Sequence, residues 1–394
     1  MVGASMESRT HGSAHHVAAL GGLRGVARPR SVEIPGLTPL RGLAALLVVV
    51  FHLMEFACPE WWARPGLAFI RHGYLAVDLF FVLSGFVITH VYAREFATAF
   101  DARRYRTFLM ARLARIYPLH VFILGLWVAL EFVRPRPFQD PARSVTAIGT
   151  NLLLIQDWHV SSILTWNEAA WSISAEWAVY LAFPVIVLLT QLRVVAARAA
   201  AVLSIFALLC ALVHFAPWTP NRLGDIDIAA DFGVVRCALE FGLGVLAYGL
   251  YADGAFLRFF DKDLTIVVVA GCVVAGMHWR IHDLVTVAAF VLLVLCAAQN
   301  QGAATRILDT RVLRFLGDIS YSVYMVHMFF REVARMALKR LIGRPLWEVT
   351  GPAERVAVLS GWVAIILAAS ALTWRLIEVP MRERLKPARP ALRP

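Results

Sequence analysis

Residues 40–54 read LRGLAALLVVVFHLM, an apolar run interrupted by one arginine and one histidine. In an α-helix, the eleven positions from Arg41 to His52 make three turns to within about 20° and rise about 16 Å, so both side chains share one face. The run predicts a transmembrane helix with Arg41 at the membrane edge and His52 near mid-depth. An ionisable ring in hydrocarbon is costly unless it finds partners or water, so His52 is the leading candidate for chemistry.

The rest of the chain is similarly apolar. Of its 394 residues, 59% are hydrophobic and 16% are charged, and the mean hydropathy is +0.66, which predicts a polytopic membrane protein. The formal net charge is +11, but the basic residues lie between apolar runs and not in one patch, which favours membrane orientation over nucleic-acid binding. The five cysteines are scattered, so neither a disulfide framework nor a zinc site is predicted.

Ten apolar runs are long enough to cross a bilayer, and they predict an all-α polytopic membrane protein with about ten transmembrane helices. We divide the chain into a disordered cytosolic tail (1–36), a membrane domain (37–384) and a basic cytosolic tail (385–394). A short, more polar stretch at 144–157 is expected to form an outer or re-entrant helix. The predicted spans lie near 38–57, 74–93, 111–133, 171–191, 199–216, 232–251, 264–280, 283–300, 315–334 and 356–376.

An even number of spans places both termini on one side of the membrane. With cytosolic termini, 24 Lys and Arg residues lie in the cytosol and 13 lie outside, which fits the positive-inside rule. The segment 331–355 argues against this orientation, because its six basic residues lie outside and its three glutamates balance them only in part. We expect a multi-pass protein of the plasma (inner) membrane.

The second span contains Asp78 near its outer end and the pair Ser84 and Gly85 deeper in. Small residues let helices approach closely in lipid, and we favour this packing role for Ser84 and Gly85 over a catalytic serine. Asp78 either caps the helix end or orients a histidine, and the sequence leaves both readings open.

A basic segment precedes and enters the third span, with Arg103 and Arg104 in the loop and Arg112 and Arg115 on one helix face. Positive-inside anchoring explains much of this charge. Arginine is also well suited to bidentate phosphate contacts, and Arg115 lies deeper than anchoring requires. A phosphate-bearing cytosolic donor and a simple anchor are equally compatible with the pattern.

The fourth span opens with Trp171-Ser172-Ile173-Ser174-Ala175-Glu176, which places Glu176 about 7 Å below the outer surface. Interfacial aromatic belts explain the tryptophan but not a buried glutamate, so we favour a site role for Glu176. Arg236 and Glu240, four residues apart in the sixth span, are expected to satisfy each other and are left out of the site.

Near the C-terminus, the run from Gly317 to His327 resembles the first span, because it also places a histidine well inside a predicted transmembrane helix. His327 lies ten residues, about 15 Å, beyond Gly317, and the predicted topology has both helices entering from the cytosol. The imidazoles of His52 and His327 are therefore expected at similar depth. Ser320 and Tyr324 share a face or a turn with His327.

Taken together, these motifs resemble the acyltransferase 3 family of integral membrane acyltransferases. The resemblance runs from about residue 37 to 384 and consists of several motifs in order, each weak alone. The matching pieces are 40–45 with His52, 77–86, 112–118, 171–176, 317–327 and 378–380.

The resemblance implies acyl transfer, usually of acetyl from cytosolic acetyl-CoA, to a hydroxyl of a glycan or small acceptor, with His52 as the essential group. The implied partners are the lipid bilayer, acyl-CoA as co-substrate and the acceptor, without nucleic acid, a tightly bound cofactor or a metal. We expect a catalytic group of His52, Glu176, Arg41, His327 and Asp78. We expect a substrate-binding group of Arg112, Arg115, Arg103, Arg104, Ser174 and Tyr324.

A transporter or flippase for a lipid-linked sugar or acylated small molecule is the competing hypothesis, because transporters also place charged residues at mid-depth. It would predict paired halves with broken helices in corresponding positions. The sequence has no such internal symmetry.

Overall fold

The structure, a computed structural model, describes residues 33–62, 64–96, 100–192, 194–215, 232–254, 257–279, 281–344 and 346–385. The predicted tails (1–36 and 385–394) lie almost entirely outside the described residues. From Ile34 onward the described residues form one compact unit.

The described residues form helices and connecting segments, with no β-strand among them. The main helices are α1 (Leu37–Ala57), α2 (Ala76–Phe96), α3 (Ala102–Glu131), α4 (Val145–Leu152), α5 (Trp171–Ile186), α6 (Val195–Phe215), α7 (Gly233–Ala252), α8 (Asp263–Trp279), α9 (Asp283–Gln299), α10 (Arg311–Asp318), α11 (Ser320–Leu341), α12 (Pro352–Thr373) and α13 (Val379–Leu385). A π-helical segment, Trp374–Glu378, joins α12 to α13. Short helical turns occupy Pro59–Trp62, Pro65–Leu67, Ala68–Arg71, Gly73–Leu75, Pro141–Arg143, Glu168–Ala170, Val187–Gln191, Leu257–Phe260, Ala303–Leu308 and Leu346–Val349.

Each of the ten predicted spans overlaps one of these helices. Within the described residues, seven helical segments are long and apolar enough to cross a membrane: Leu37–Ala57, Pro65–Phe96, Ala102–Glu131, Glu168–Gln191, Val195–Phe215, Gly233–Ala252 and Pro352–Leu385. Helices α8 and α9 are apolar but shorter. Helix α11 carries Arg331, Glu332 and Arg335 in its second half. The all-α, multi-span architecture is confirmed, while the count of ten crossings and the cytosolic termini stay predictions.

Helix α1 packs against α10 and the start of α11 through a pair of glycines. A Cβ on Gly42 would lie 2.6 Å from the backbone nitrogen of Gly317, and a Cβ on Gly317 would meet the Thr38 carbonyl. Small residues allow this close approach of helix backbones, which stabilises helix packing in lipid, where no hydrophobic effect drives helices together. Because each histidine lies ten residues beyond its glycine, this crossing aligns His52 with His327.

Helix α2 packs against α7 in the same way. A Cβ on Gly85 would meet the Phe241 carbonyl, and a Cβ on Gly244 would meet the Val82 carbonyl. The predicted packing role of Gly85 is therefore confirmed. Ser84, its neighbour in sequence, faces the cavity described below.

The same two helices share a buried ion pair that corrects a sequence-based expectation. Arg236 of α7 donates from Nε and Nη2 to the two carboxylate oxygens of Asp78 on α2, at 2.9 and 2.6 Å. The Glu240 carboxylate is farther away, at 3.7 Å from Nε. The prediction that Arg236 and Glu240 pair mainly with each other is therefore wrong, because the principal partner of Arg236 is Asp78. The i, i+4 spacing in the sequence favoured Glu240, but the packing of α2 against α7 brings Asp78 closer to the Arg236 guanidinium.

The basic segment 331–355 is partly neutralised by partners from other elements. Arg331 lies 3.0 Å from Glu168 and 3.7 Å from Glu55, and Arg355 pairs with Glu60. This pairing reduces the charge that argued against the predicted orientation. Helix α4, the only regular helix in the 144–157 stretch, has eight residues and is too short to cross a bilayer, as predicted.

Candidate active site

The rings of His52 and His327 stack on each other. Their centroids are 5.3 Å apart and their planes differ by 27°. His52 is part-exposed, with 24% of its side chain accessible, whereas His327 is 1% exposed. The expectation that the two imidazoles reach similar depth is confirmed.

The hydrogen bond of His327 fixes its tautomer. Its Nδ1 lies 2.6 Å from the Tyr324 carbonyl oxygen. A carbonyl oxygen can only accept, so Nδ1 carries the proton and the neutral ring presents Nε2 as a base. Nε2 is buried and has no hydrogen-bond partner within the described part of the chain.

An ionic cluster lies beside the histidine pair, and sequence reasoning missed it. His52 Nδ1 is 3.6 Å from the Glu55 carboxylate, one turn further along α1. Arg331, one turn beyond His327 on α11, contacts both Glu55 and Glu168. The i, i+3 spacing of His52 and Glu55 was visible in the sequence, but the link through Arg331 depends on tertiary packing.

A cavity of about 150 Å³ opens between α1, α2, α3, α5 and α11. Three guanidinium groups and one carboxylate line it together with several hydroxyls. Its polar lining consists of Arg41, Ser84, Arg112, Arg115, Ser172, Glu176, Tyr180, Ser320, Tyr321 and Tyr324. Four predicted basic or acidic site residues, Arg41, Arg112, Arg115 and Glu176, are therefore brought together.

Ser84 and Glu176 form a hydrogen bond inside this cavity. Ser84 Oγ donates to Glu176 Oε1, which links α2 to α5. The electrostatic neighbours of Arg41 include Glu176 and Asp318. The sequence favoured Glu176 for the site but assigned Ser84 to packing, because a serine beside a glycine in a span is typical of helix contacts.

Two of the five arginines of α3, Arg112 and Arg115, line the cavity, and they have different partners. Arg115 pairs with Glu378 and lies 5.7 Å from the Tyr321 ring centroid. Arg112 lies 5.3 Å from the Tyr92 ring centroid, with Nη2 3.4 Å from the phenol oxygen. Arg112 Nε is buried with no hydrogen-bond partner among the described residues, so it has donor capacity left for a ligand.

Glu378 is a second residue that sequence reasoning did not place in the site. It ends the π-helical segment after α12, is 1% exposed, and accepts a hydrogen bond of 3.0 Å from Ser322 in addition to its contact with Arg115. The sequence signal was the Glu378-Val379-Pro380 motif, but nothing in it identified Arg115 as the partner.

Other predicted site residues lie away from the cavity lining. Arg103 and Arg104 are exposed in the first turn of α3, where Asp101 caps the helix. The backbone N–H of Arg104 hydrogen-bonds the Asp101 carboxylate and holds its pKa below the ordinary value. Ser174 is buried, donates to the Leu154 carbonyl and anchors the loop before α5.

Asp78 is hydrogen-bonded to Arg236, and among the described residues it forms no hydrogen bond or ion pair with His52 or His327. The Arg236 guanidinium also lies 5.4 Å from the ring centroid of Trp171 at the start of α5. Asp78 thus belongs to a buried cluster that joins α2, α5 and α7. Its predicted catalytic role stays a prediction.

Tyr324 lines the cavity and also lies next to the His327 ring. His52 and His327 are not among the described lining residues. The Tyr324 ring is 5.8 Å from the His327 ring and 5.9 Å from the Phe80 ring. Ser172 donates to the Tyr324 hydroxyl at 2.9 Å and helps to hold the ring in place.

This geometry combines the parts that group transfer needs. The guanidinium groups can bind anionic oxygens, and the carboxylate and the imidazoles can move protons.

Comparison with known proteins gives a consistent result. The sequence matches the family model described as "Acyltransferase domain" over residues 34–376. It is 28% identical to acyltransferase MdmB of Streptomyces mycarofaciens over 378 residues, covering 92% of this chain and 95% of that protein.

Two further relatives match with lower coverage of their own length. The chain is 26% identical to the putative peptidoglycan O-acetyltransferase YrhL of Bacillus subtilis, covering 89% of this chain and 55% of that protein. It is 22% identical to O-acetyltransferase OatA of Staphylococcus aureus, covering 75% and 50% respectively. No solved structure matches at a significant level. Because the family model covers most of the sequence, the chain belongs to this acyltransferase family and is a multi-pass membrane acyltransferase.

Proposed function

We propose that this enzyme transfers an acyl group, in the simplest case acetyl, from acyl-CoA to a hydroxyl of a glycan or another acceptor. The observation that carries the proposal is a cavity with three guanidinium groups in its wall, lined by the Tyr324 ring that lies next to the two stacked histidines. A phosphate-bearing thioester requires cations for the donor and a base for the acceptor hydroxyl. The names of YrhL and OatA support acetyl transfer to a hydroxyl.

The donor enters from the end of the bundle that carries Arg41. In this proposal the nucleotide stays at the mouth of the cavity and the pantetheine arm enters it. An extended pantetheine spans on the order of the 16 Å of helical rise between Arg41 and His52. Arg112 and Arg115 bind phosphate at the cavity wall, and Arg103 and Arg104 extend the basic surface along α3. The basic charge at this end favours the cytosolic side, where acyl-CoA is made.

The histidine pair serves the acceptor. His52 is the more exposed of the two rings and takes the proton from the acceptor hydroxyl as a general base. His327, with its free Nε2, is the second base of the pair. Arg41 offsets the negative charge that develops on the thioester carbonyl oxygen.

The role of His52 is tested by His52→Ala. We expect acyl transfer to fall by about 10²- to 10⁴-fold, the usual contribution of a general base, with membrane insertion unchanged. The measurement is mass spectrometry of cell-surface glycans and secreted metabolites from a deletion strain complemented with each variant, which also identifies the acceptor by its lost acyl mass. His278→Ala, outside the site, is the matched control. Normal transfer by a correctly inserted His52→Ala protein would refute the assignment.

The donor site is tested by acetyl-CoA binding to the purified protein. Loss of charge-assisted hydrogen bonds, each worth about 1.5–3 kcal/mol, should weaken binding of Arg112→Ala by about 10- to 100-fold. Arg115→Gln is combined with Glu378→Gln, so that no buried carboxylate is left unpaired. Arg106→Ala, exposed on the same helix, should bind acetyl-CoA normally. Unchanged affinity in the Arg112 and Arg115 variants would rule out this phosphate site.

A further inference from the structure

Among the three serines that line the cavity, Ser84, Ser172 and Ser320, Ser84 differs in having a carboxylate partner, and the Tyr180 hydroxyl is a second neighbour of the same carboxylate. Its Oγ donates to Glu176 Oε1, and both side chains line the cavity. Ser172 is engaged with the Tyr324 hydroxyl and Tyr321 donates to the Ile116 carbonyl at 2.5 Å. A hydroxyl bonded to a carboxylate is the arrangement in which a base activates a nucleophile.

The position of Ser84 is fixed by its neighbours on α2. Gly85, the next residue, lies against the Phe241 carbonyl of α7, and Asp78, further up the helix, is held by Arg236. Glu176 interacts electrostatically with Arg41 and forms a hydrogen bond with the Tyr180 side chain. The nucleophile and its base are therefore carried by two packed helices, which is how a reactive geometry is kept within narrow limits.

Ser84 and Glu176 line the cavity, whereas His52 and His327 are not among its described lining residues. A thioester that enters along the arginines reaches Ser84 and Glu176 on the cavity side of the Tyr324 and Phe80 rings. Phe80 lies on α2 one turn before Ser84, so Ser84 is next to these rings. The group that first meets the acyl carbon is the serine hydroxyl and not an imidazole.

We propose that Ser84 carries the acyl group as an ester between donor and acceptor, an inference that rests on the proposed function. Glu176 takes the proton of Ser84 Oγ while the new bond from Oγ to the acyl carbon forms. Arg41 stabilises the oxyanion, the carbon–sulfur bond then breaks, and Glu176 returns the proton to the departing CoA thiolate.

The second half-reaction restores the serine. The acceptor oxygen gives its proton to His52 and attacks the ester carbon, and the bond from the acyl carbon to Ser84 Oγ breaks. The serine oxygen regains a proton that passes from the histidine pair. The rings of Tyr324 and Phe80 must turn aside for the acceptor oxygen to reach the ester, which makes this aromatic pair the boundary between donor and acceptor.

The experiment is acyl-enzyme trapping. Full-length protein in lipid nanodiscs is incubated with radiolabelled acetyl-CoA without acceptor, quenched in acid, digested and mapped by mass spectrometry. We expect up to one acetyl group per chain, on the peptide that contains Ser84. A serine ester survives acid and neutral hydroxylamine, whereas an acyl-imidazole hydrolyses and a thioester is cleaved.

Variants assign the label. Ser84→Ala should abolish it, and Ser84→Cys should convert it to a hydroxylamine-sensitive thioester. Glu176→Gln should slow labelling by about 10²-fold or more, because it keeps the shape but loses the base. Thr89→Val removes a buried hydroxyl from the same helix, away from the cavity lining, and should label like the wild type.

The outcomes distinguish the acyl-serine intermediate, here called the relay, from the proposed function. Label at Ser84 that His52→Ala retains but cannot pass to the acceptor supports both. Label on His52, or normal transfer by Ser84→Ala, overturns the relay and leaves acyl transfer from acyl-CoA standing. A protein that neither binds nor consumes acetyl-CoA overturns both.

Discussion

The buried pair of Asp78 and Arg236 allows a quantitative prediction of stability. Both side chains are essentially inaccessible, with exposed fractions of 0% and 1%, and they share two hydrogen bonds. Asp78→Ala leaves a buried guanidinium without its main partner, which typically costs about 3–5 kcal/mol. We expect a corresponding drop in the thermal unfolding midpoint of the purified protein.

The double variant Asp78→Leu with Arg236→Met is the control for this prediction. Replacing both charges with apolar groups of similar size is often neutral, so the double variant should recover most of the lost stability. A single variant as stable as the wild type, or a double variant less stable than the single, would contradict the assigned role of the pair.

Partner choice is where sequence reasoning about single residues reached its limit. For Arg236, Glu240 lies at the favourable helical spacing, and nothing in the sequence indicates that Asp78, 158 positions away, is the principal partner. For Ser84, the adjacent Gly85 favoured a helix-packing role, and the sequence did not indicate the contact with Glu176. For Glu378, the motif was visible, but its partner Arg115 is on another helix. In each case the missing information was which helices are neighbours.

The alignment of α1 with α11 was more accessible to sequence analysis. Each histidine follows a glycine by ten residues, and the predicted topology has both segments entering from the same side, so the sequence alone predicts similar depth. Ring stacking and the cluster of Glu55 with Arg331 needed the lateral positions of the helices, which hydropathy does not specify. For the same reason the basic group of α3 was predicted as one patch, although only Arg112 and Arg115 line the cavity.

This alignment of helices predicts the effect of Gly42→Ala. A Cβ there would lie 2.6–2.8 Å from the backbone of α10, so α1 must shift. Overpacking of this kind costs about 1–3 kcal/mol. Because the shift moves His52 relative to His327, acyl transfer should fall more steeply than stability does. Both are measured on the same purified protein.

Gly271→Ala is the matched control in α8. A Cβ at Gly271 meets nothing within 4 Å, so the substitution should leave transfer unchanged and raise helix stability by up to about 1 kcal/mol. Equal losses of activity in the two variants would show that the crossing of α1 and α10 does not set the geometry of the histidines.

Over the whole molecule, the proposed reaction requires donor and acceptor to approach from opposite ends of the helix bundle. The arginines line the cavity at the end where α1 and α10 cross, while His52, Glu55 and Arg331 lie toward the other end of α1 and α11. Pairing of Arg331 with Glu168 and of Arg355 with Glu60 removes part of the positive charge from that second end. The remaining charge asymmetry favours a cytosolic donor end.

Cysteine labelling tests this orientation. In a background with the five native cysteines replaced, Val349→Cys, exposed between α11 and α12, should react with a membrane-impermeant maleimide in intact cells. Lys262→Cys, exposed before α8, should react only after permeabilisation, because the predicted topology places it in the cytosol. The reverse pattern would place the arginine-lined cavity outside, away from cytosolic acyl-CoA. Labelling of both positions in intact cells would instead mean that the number of crossings between them is even, and the count of ten spans would be wrong.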